Sequence, residues 1–365
     1  MRPSNYLPGL TPLRFFAASL VVLDHANYQL GQAGFFSSAW PLFNRGAEAV
    51  SFFFVLSGYL ITHLLLIEIN RTGSIDIASF YFKRIKRIWP LYFFVVIAGL
   101  CLYNFIFPRV GVDYEVNYTL IEVIPLLTFF MANAAYSFFN MGGIIAVTWS
   151  IAIEEQFYLV WAPLVRSSLK KLPVVLWSIY AFWVIVHLLN DLELIPYSHS
   201  VHKFIWTMQF HSMALGALGA YYMSTKGEWL LGRSFFSSKM IQQMLLLFLI
   251  SLFTLWSPHK AIFYQLLPWL FLWLVMDISR NKKPLLDLEN RFLIWLGSIS
   301  YGVYMYHYFV IYLCMFLLQR TASGTIGLPL VMLFFLLCFV LTVGLAHTSF
   351  KYMETPILRL GRKKH

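Results

Sequence analysis

Residues 328–350 read LPLVMLFFLLCFVLTVGLAHTSF, an apolar run that contains no Asp, Glu, Lys or Arg. As an α-helix, a run of this length crosses a hydrocarbon core about 30 Å thick. Lipid offers a peptide backbone no hydrogen-bond partners, so a crossing segment must satisfy its own amides, as a helix does. This stretch therefore predicts a transmembrane helix.

Similar runs recur along the chain and predict an all-α bundle of about ten transmembrane helices. Hydrophobic residues make up 59% of the sequence and charged residues 12%, against roughly 25% charged in a soluble domain. We see no internal repeat and no appended soluble domain, so residues 1–365 are expected to form a single transmembrane domain. The other predicted spans lie near residues 10–29, 47–66, 91–107, 147–165, 174–190, 204–223, 241–255, 262–278 and 292–318.

The 27 Lys and Arg residues are distributed unevenly between the two sides of this bundle. With the N-terminus inside, nearly all of them fall in the terminal segments and in the connections on that same side. The exceptions are Arg14 within the first span and, on the outer side, Arg45, Arg109, Lys203, Lys260 and Arg320. Because basic residues concentrate in cytoplasmic loops, both termini are expected to be cytoplasmic.

Residues 121–139 (IEVIPLLTFFMANAAYSFF) form one further apolar stretch, but this topology does not allow the stretch to cross the membrane. A full crossing there would invert every later segment and move the later basic connections outside. We therefore expect 121–139 to be re-entrant or interfacial at the outer face, which is tolerated where protein covers irregular backbone.

The sequence predicts neither a nucleic-acid partner nor a metal site. The net charge of +11 comes from basic residues between the spans, so topology explains it and nucleic acid is not a predicted partner. Cys101, Cys314 and Cys338 all lie within apolar runs without metal-ligand spacing, so no metal site is predicted.

Ionisable side chains inside apolar runs are the first functional signal, because each costs roughly 2.5 to 3.5 kcal/mol at the bilayer centre. Arg14 and His25 are eleven residues apart in the first span and share one helix face, about 16 Å apart. Arg14 lies toward the cytoplasm and His25 toward the outer half. Taken singly, Arg14 could be a snorkelling residue and His25 a packing histidine.

The ninth span carries a second polar group, in SISYGVYMYHYF (residues 298–309). Ser300, Tyr304 and His307 follow the i, i+4, i+7 rule and form a stripe on one face. His307 and His25 lie equally far past the inner ends of their spans, about 22 Å deep. The two imidazoles are therefore expected at one depth.

Two further groups complete the pattern. Glu154, in TWSIAIEEQFYLVWAP (148–163), is expected near the depth of the histidines, where a carboxylate could orient an imidazole base. Structural pairing with a basic side chain is the alternative. Arg84 and Arg87, in FYFKRIKRIWPLY (80–92), are spaced i, i+3 and could form an anion clamp with Arg14. Membrane orientation alone also explains basic residues there.

Together these stretches resemble the acyltransferase type 3 family of bacterial membrane acyltransferases, which includes polysaccharide O-acetylases. The resemblance runs from end to end and rests on six motifs in order. They are LTPLRFFAASLVVLDH with Arg14 and His25, FFFVLSGYLIT with Ser57, Gly58 and Tyr59, KRIKRIWPLY with Arg84, Arg87 and Pro90, TWSIAIEEQFYLVW with Trp149 and Glu154, SYGVYMYH with Tyr304 and His307, and the ETP of Glu354 to Pro356.

The resemblance implies transfer of an acyl group, expected to be acetyl, from cytoplasmic acetyl-CoA to a carbohydrate hydroxyl at the bacterial cytoplasmic (inner) membrane. With it, His25 and Glu154 are the expected catalytic residues, and Arg14, Arg84 and Arg87 the expected donor-binding residues. The residues expected to bind substrate or shape the site are Trp149, Ser57, Tyr59, Ser300, Tyr304 and His307. A tunnel through the protein is expected to join the arginines to the histidines.

Several alternatives stay open from the sequence. His25 could act as a general base or form a transient acyl-histidine. Ser57 could relay the acyl group, although packing beside Gly58 is the favoured interpretation. The acceptor could be an exopolysaccharide, a lipopolysaccharide or a lipid-linked glycan, and membrane lipids are the other expected partners. A transporter that uses buried Arg, His and Glu as a pathway is the alternative function. We see no inverted repeat to support it.

Overall fold

The computed structural model describes residues 7–112, 114–196, 198–232, 238–255, 261–280 and 284–360. Every regular element in these residues is helical. The α-helices are α1 (Leu10–Gln32), α2 (Gly46–Thr72), α3 (Ile77–Cys101), α4 (Phe107–Arg109), α5 (Leu120–Thr128), α6 (Ala132–Phe138), α7 (Gly142–Ala146), α8 (Thr148–Ser168), α9 (Leu172–Asp191), α10 (His199–Thr207), α11 (Phe210–Gly232), α12 (Lys239–Thr254), α13 (Ala261–Arg280), α14 (Arg291–Ser298), α15 (Ser300–Thr321), α16 (Leu328–Ser349) and α17 (Thr355–Arg359). Short 3₁₀ turns lie at Pro41–Phe43 and Leu169–Lys171, and π-helical turns at Leu102–Ile106 and Phe350–Glu354.

Several of these helices are suited to a membrane. Within the described residues, five stretches are long and apolar enough to cross one. They are Gly46–Thr72, Ile77–Arg109, Gly142–Asp191, Ser300–Thr321 and Leu328–Arg359. Two shorter apolar helices, Lys239–Thr254 and Gln265–Ser279, coincide with further predicted spans. The all-helical membrane architecture is thus supported, while the count of about ten spans stays a prediction.

The predicted ninth span, 292–318, is not one continuous helix. It is divided at Ile299, whose backbone (φ −98°, ψ 1°) separates α14 from α15. The Ser300 hydroxyl bonds the carbonyl oxygen of Gly297 at 2.8 Å beside this break. Gly297 also lets α14 lie against α1, because a Cβ there would be 2.1 Å from the Thr11 carbonyl oxygen. The break means that depth along this span cannot be counted as if the helix were straight.

The stretch 121–139 is folded into the short helices α5 and α6. They hold 9 and 7 residues, each too short to cross a hydrocarbon core by itself. Phe130 between them has a φ of 55°, a left-handed conformation that is unfavourable for an aromatic residue. The Gln156 side chain on α8 holds this break by donating to the Phe130 carbonyl oxygen at 2.8 Å. The placement of this stretch relative to a membrane stays a prediction.

Helix α2 is the most buried of the five candidate crossings, because 78% of an 18-residue apolar stretch within it is buried inside the protein. It packs closely against α11 because each helix places a glycine at the crossing. A Cβ on Gly58 would lie 2.0 Å from the Met213 carbonyl oxygen, and one on Gly216 would lie 2.0 Å from that of Val55. The close packing in the FFFVLSGYLIT motif therefore belongs to Gly58, which leaves the neighbouring Ser57 to face another helix.

Candidate active site

His25 on α1 and His307 on α15 meet side by side. His25 Nδ1 lies 2.7 Å from His307 Nε2. Their rings meet edge to edge and are nearly parallel, with centroids 5.0 Å apart and an interplanar angle of 9°. The Tyr308 ring packs against both imidazoles, at centroid distances of 4.7 and 4.9 Å. We call His25 and His307 the histidine pair; residues 282 positions apart thus form one hydrogen-bonded unit.

The two histidines have different surroundings. His307 is fully buried, and its Nδ1 lies 2.5 Å from the backbone carbonyl oxygen of Tyr304. The side chain of His25 is 26% exposed, and its Nε2 lies 3.9 Å from the Asp24 carboxylate. The backbone N–H of Gly46, at the start of α2, donates to that carboxylate. Within the pair, only His25 is therefore partly exposed and lies beside a carboxylate.

Asp24 was not assigned a role from the sequence. Its position directly before His25 in the LDH of the first motif was the available signal. The carboxylate of Asp24 is also placed at the N-terminus of α2, where the helix dipole favours a negative charge. The acidic group nearest the base candidate is thus the sequence neighbour of His25.

A second feature is a cavity of about 740 Å³, including its open mouth, which is lined by Arg14, Arg84 and Arg87. We call it the arginine cavity. It brings together residues from α1, α2, α3, α8 and α15; the other polar lining residues are Ser57, Ser150, Glu154, Tyr158, Ser300, Tyr301 and Tyr304. An adjoining cavity of about 700 Å³ shares the three arginines and extends to Leu7, Thr11 and His63. The three arginines predicted to form a clamp therefore face one space.

The arginines of this cavity form no salt bridge with any carboxylate of the described residues. Among the described residues, no ion pair involves Arg14, Arg84 or Arg87. The Arg84 guanidinium lies over the rings of Phe80 and Tyr158, at 5.8 and 5.7 Å, and its buried Nε has no hydrogen-bond partner. A buried guanidinium nitrogen without a partner, such as Arg84 Nε, is costly, and guanidinium groups suit bidentate recognition of phosphate. The cavity thus has the charge and donors for an anionic ligand.

Glu154 belongs to the arginine cavity and not to the histidine pair. Its carboxylate accepts hydrogen bonds from Ser57 at 2.8 Å and from Tyr158 at 2.9 Å. The expected imidazole is not among its hydrogen-bond partners in the described residues, so that pairing is wrong. Residue spacing predicts how deep Glu154 lies in the bundle. It does not predict which way the side chain points, because that depends on how α8 is rotated against the helices that pack on it. Its electrostatic partners include Arg14 and Arg84.

Tyr158 was missed in the sequence reasoning, although its i, i+4 spacing from Glu154 was a usable signal.

The acid next to Glu154 in the sequence, Glu155, faces another part of the protein, since its Oε2 accepts from the Trp89 indole N–H at 3.1 Å. The side chains of Glu154, Glu155 and Gln156 thus point to three different parts of the protein.

Tyr304 lies between the two features. Its ring lines the arginine cavity, and its hydroxyl lies 2.8 Å from Ser150 Oγ and donates to the Val147 carbonyl oxygen at 3.0 Å. Its own carbonyl oxygen bonds His307. In the described residues, neither His25 nor His307 lines either of the two cavities. These two cavities thus do not reach the histidine pair, and Tyr304 lies between the arginine cavity and His307.

Two other residues expected at the site line neither cavity. Tyr59 is fully buried on another face of α2, with its hydroxyl 3.5 Å from Ser279 Oγ. Trp149 packs among Phe54, Tyr136 and Trp206. Trp149 supports the wall of the arginine cavity indirectly, because Phe54 lines it. In the described part of the chain, no group of three or more His, Cys, Asp or Glu side chains is arranged to hold a metal ion.

Known proteins were compared with the chain as a whole. An O-acetyltransferase OatA of Staphylococcus aureus is 25% identical over 389 residues, which cover 100% of this chain and 59% of that protein. A peptidoglycan O-acetyltransferase OatA of Listeria monocytogenes is 25% identical over 375 residues, which cover 98% of this chain and 56% of that protein. The chain thus spans less than two thirds of the length of these relatives.

No solved structure matches the chain. A family model described as an acyltransferase domain matches residues 7–348, which include both the arginine cavity and the histidine pair. Because this match covers nearly the whole chain, the protein belongs to the acyltransferase family that its motifs resemble.

Proposed function

We propose that this acyltransferase is a multi-pass membrane O-acetyltransferase of the bacterial cytoplasmic (inner) membrane. It moves an acetyl group from cytoplasmic acetyl-CoA to a carbohydrate hydroxyl at the outer side. The observation that carries the proposal is the arrangement of an arginine cluster, without a salt bridge among the described residues, and a histidine pair on either side of Tyr304. The first suits an anionic donor, and the second suits removal of a proton from an alcohol.

Acetyl-CoA binds with its phosphates against Arg14, Arg84 and Arg87. The adjoining cavity extends to Leu7, just before α1, and to Thr11 in its first turn. The excess of basic residues on that side of the predicted topology supports a cytoplasmic entrance. Glu154, held by the Ser57 and Tyr158 hydroxyls, limits the positive charge of the arginine cavity and orients the arginines around the donor.

The acceptor is a carbohydrate that reaches His25 and Asp24 from the outer side. The Listeria relative, a peptidoglycan O-acetyltransferase, supports peptidoglycan as one acceptor class. An exopolysaccharide, a lipopolysaccharide or a lipid-linked glycan fits the same chemistry. A sugar hydroxyl can bond His25 Nε2 while a second hydroxyl bonds the Asp24 carboxylate, since these groups are 3.9 Å apart.

In the reaction, the acceptor oxygen attacks the thioester carbonyl carbon while His25 Nε2 takes the hydroxyl proton. The carbon–sulfur bond then breaks, and the thiolate of CoA receives the proton from His25. General base catalysis of this kind contributes roughly 10²- to 10⁴-fold. A transient acyl-histidine would use the same nitrogen as a nucleophile. In either route the acetyl group must travel from the arginine cavity to His25, past Tyr304, which lies between them.

Acetyl transfer from labelled acetyl-CoA tests the proposal. Membranes that contain the full chain are incubated with radiolabelled acetyl-CoA, and alkali-labile label is measured in the glycan fraction. We expect labelled glycan esters with the unaltered protein and none with His25→Gln. Flux of a solute across the membrane without glycan labelling would instead support the transporter alternative.

A further inference from the structure

The hydrogen bonds of the histidine pair determine which nitrogen of His25 carries its proton. His307 Nδ1 faces the carbonyl oxygen of Tyr304, at 2.5 Å. A carbonyl oxygen can only accept, so His307 Nδ1 carries a proton. A neutral imidazole has a single N–H, which leaves His307 Nε2 with a free lone pair. His307 Nε2 is therefore the acceptor of the pair.

The same logic then applies to His25. Its Nδ1 lies 2.7 Å from His307 Nε2, so it must be the donor in that contact. The proton of neutral His25 is thus on Nδ1, and its lone pair is on Nε2. That nitrogen is the one that lies 3.9 Å from the Asp24 carboxylate. A base at this site can accept a proton only there.

We propose that His307 is a positioning residue that holds His25 in the tautomer with its basic Nε2 directed at the acceptor. This inference rests on the function proposed above. In many enzymes a carboxylate performs this task by bonding the second nitrogen of the base. Here the orienting group is a neutral imidazole that is anchored to the main chain of α15.

Burial and packing make this arrangement rigid. His307 has no exposed surface, and Tyr308 packs against both rings. The near-parallel rings, 9° apart, keep the contact between His25 Nδ1 and His307 Nε2 close to the plane of both imidazoles. His307 Nδ1 bonds a backbone atom of its own helix, so its orientation does not depend on a second mobile side chain.

Two substitutions separate positioning from simple loss of volume. In His307→Gln, the amide oxygen can accept from His25 Nδ1–H while the amide nitrogen donates to the Tyr304 carbonyl. In His307→Leu, neither bond is possible. We expect the leucine variant to lose roughly 10²-fold in kcat with little change in the KM for acetyl-CoA, and the glutamine variant to stay within about tenfold of the unaltered enzyme.

A matched control is His187→Leu. His187 is also a buried histidine whose ring nitrogen contacts a backbone carbonyl oxygen, that of Met208 at 3.1 Å, but it lies away from both cavities. We expect this variant to keep its kcat. Equal losses in His307→Leu, His307→Gln and His187→Leu would show a general packing defect and would overturn the inference.

The tautomer itself is measured by ¹⁵N solid-state NMR of histidine-labelled full-length protein in lipid bilayers, with His25→Gln used to assign the His25 signals. We expect the His25 proton on Nδ1 in the unaltered protein and in His307→Gln, and a shifted tautomer distribution in His307→Leu. A proton on Nε2 of His25 in the unaltered protein overturns the inference. This measurement needs no turnover, so it decides the matter even if acetyl transfer itself is not found.

Discussion

The arginine cavity and the histidine pair both place polar side chains inside an apolar bundle. They differ in whether those side chains find hydrogen-bond partners within the protein. Among the described residues, the arginines have no carboxylate ion pair, and Arg84 Nε has no partner at all. His25 and His307 bond each other, and His307 also bonds the backbone of Tyr304. The first site needs a ligand to complete it, whereas the second holds its geometry without one.

The largest expected effect comes from removing the base of the histidine pair. His25→Gln should lower kcat by roughly 10²- to 10⁴-fold, because an amide cannot act as the base that takes the hydroxyl proton. The KM for acetyl-CoA should change little, since the arginine cavity is left intact. Steady-state kinetics with labelled acetyl-CoA measure both constants. His347→Gln, at an exposed histidine of α16, is the control; normal acetyl transfer by His25→Gln would remove His25 from the mechanism.

The next effect comes from the arginine cavity. Arg84→Gln combined with Arg87→Gln should raise the KM for acetyl-CoA by roughly 10- to 100-fold, because each charged hydrogen bond contributes about 1.5 to 3 kcal/mol. The kcat at saturating donor should fall much less. Arg166→Gln, at an exposed arginine of α8, is the matched control. An unchanged KM in the double variant would show that the donor phosphates bind elsewhere.

A smaller effect is expected on stability. Gly58→Ala places a methyl group where the Met213 carbonyl oxygen lies 2.0 Å away, so α2 and α11 must separate. We expect a loss of about 1 to 3 kcal/mol in the free energy of unfolding, as in other overpacked contacts. Thermal unfolding of the purified protein in detergent measures it. Gly344→Ala, where a Cβ has open space, is the control, and equal unfolding temperatures would contradict the packing role of Gly58.

The smallest effect should follow Ser57→Ala. The substitution removes one of two hydroxyl donors to Glu154, which costs about 0.5 to 1.5 kcal/mol and lowers acetyl transfer roughly two- to tenfold. Tyr158 still holds the carboxylate. The measurement is kcat/KM for acetyl-CoA, with Ser167→Ala at an exposed position of α8 as the control. Complete loss of activity would instead indicate that Ser57 relays the acyl group.

Much of the candidate site could be expected from the sequence. Arg14, Arg84 and Arg87 were predicted to share an anion site, and the structure brings them to one cavity. His25 and His307 were expected at one depth, and their rings are in contact. These expectations used only charge type and spacing. Their catalytic roles stay proposals.

Other features could not be read from the spacing. Glu154 was expected beside an imidazole and instead bonds Ser57 and Tyr158. Tyr59 was expected to shape the site and instead lies against Ser279. The break at Ile299 divides a predicted span, and Tyr304 lies between the arginine cavity and His307. In each case the outcome depends on how a helix is rotated against its neighbours.

The sequence by itself determined that the chain is a helical membrane protein and how far along each helix its ionisable groups lie. Apolar length decides the first, and a constant rise of about 1.5 Å per residue decides the second. Only the tertiary structure decided which side chains touch, because rotation about each helix axis is set by packing such as that of Gly58 and Gly216. That packing places Glu154 in the arginine cavity and places His307 in hydrogen-bond contact with His25.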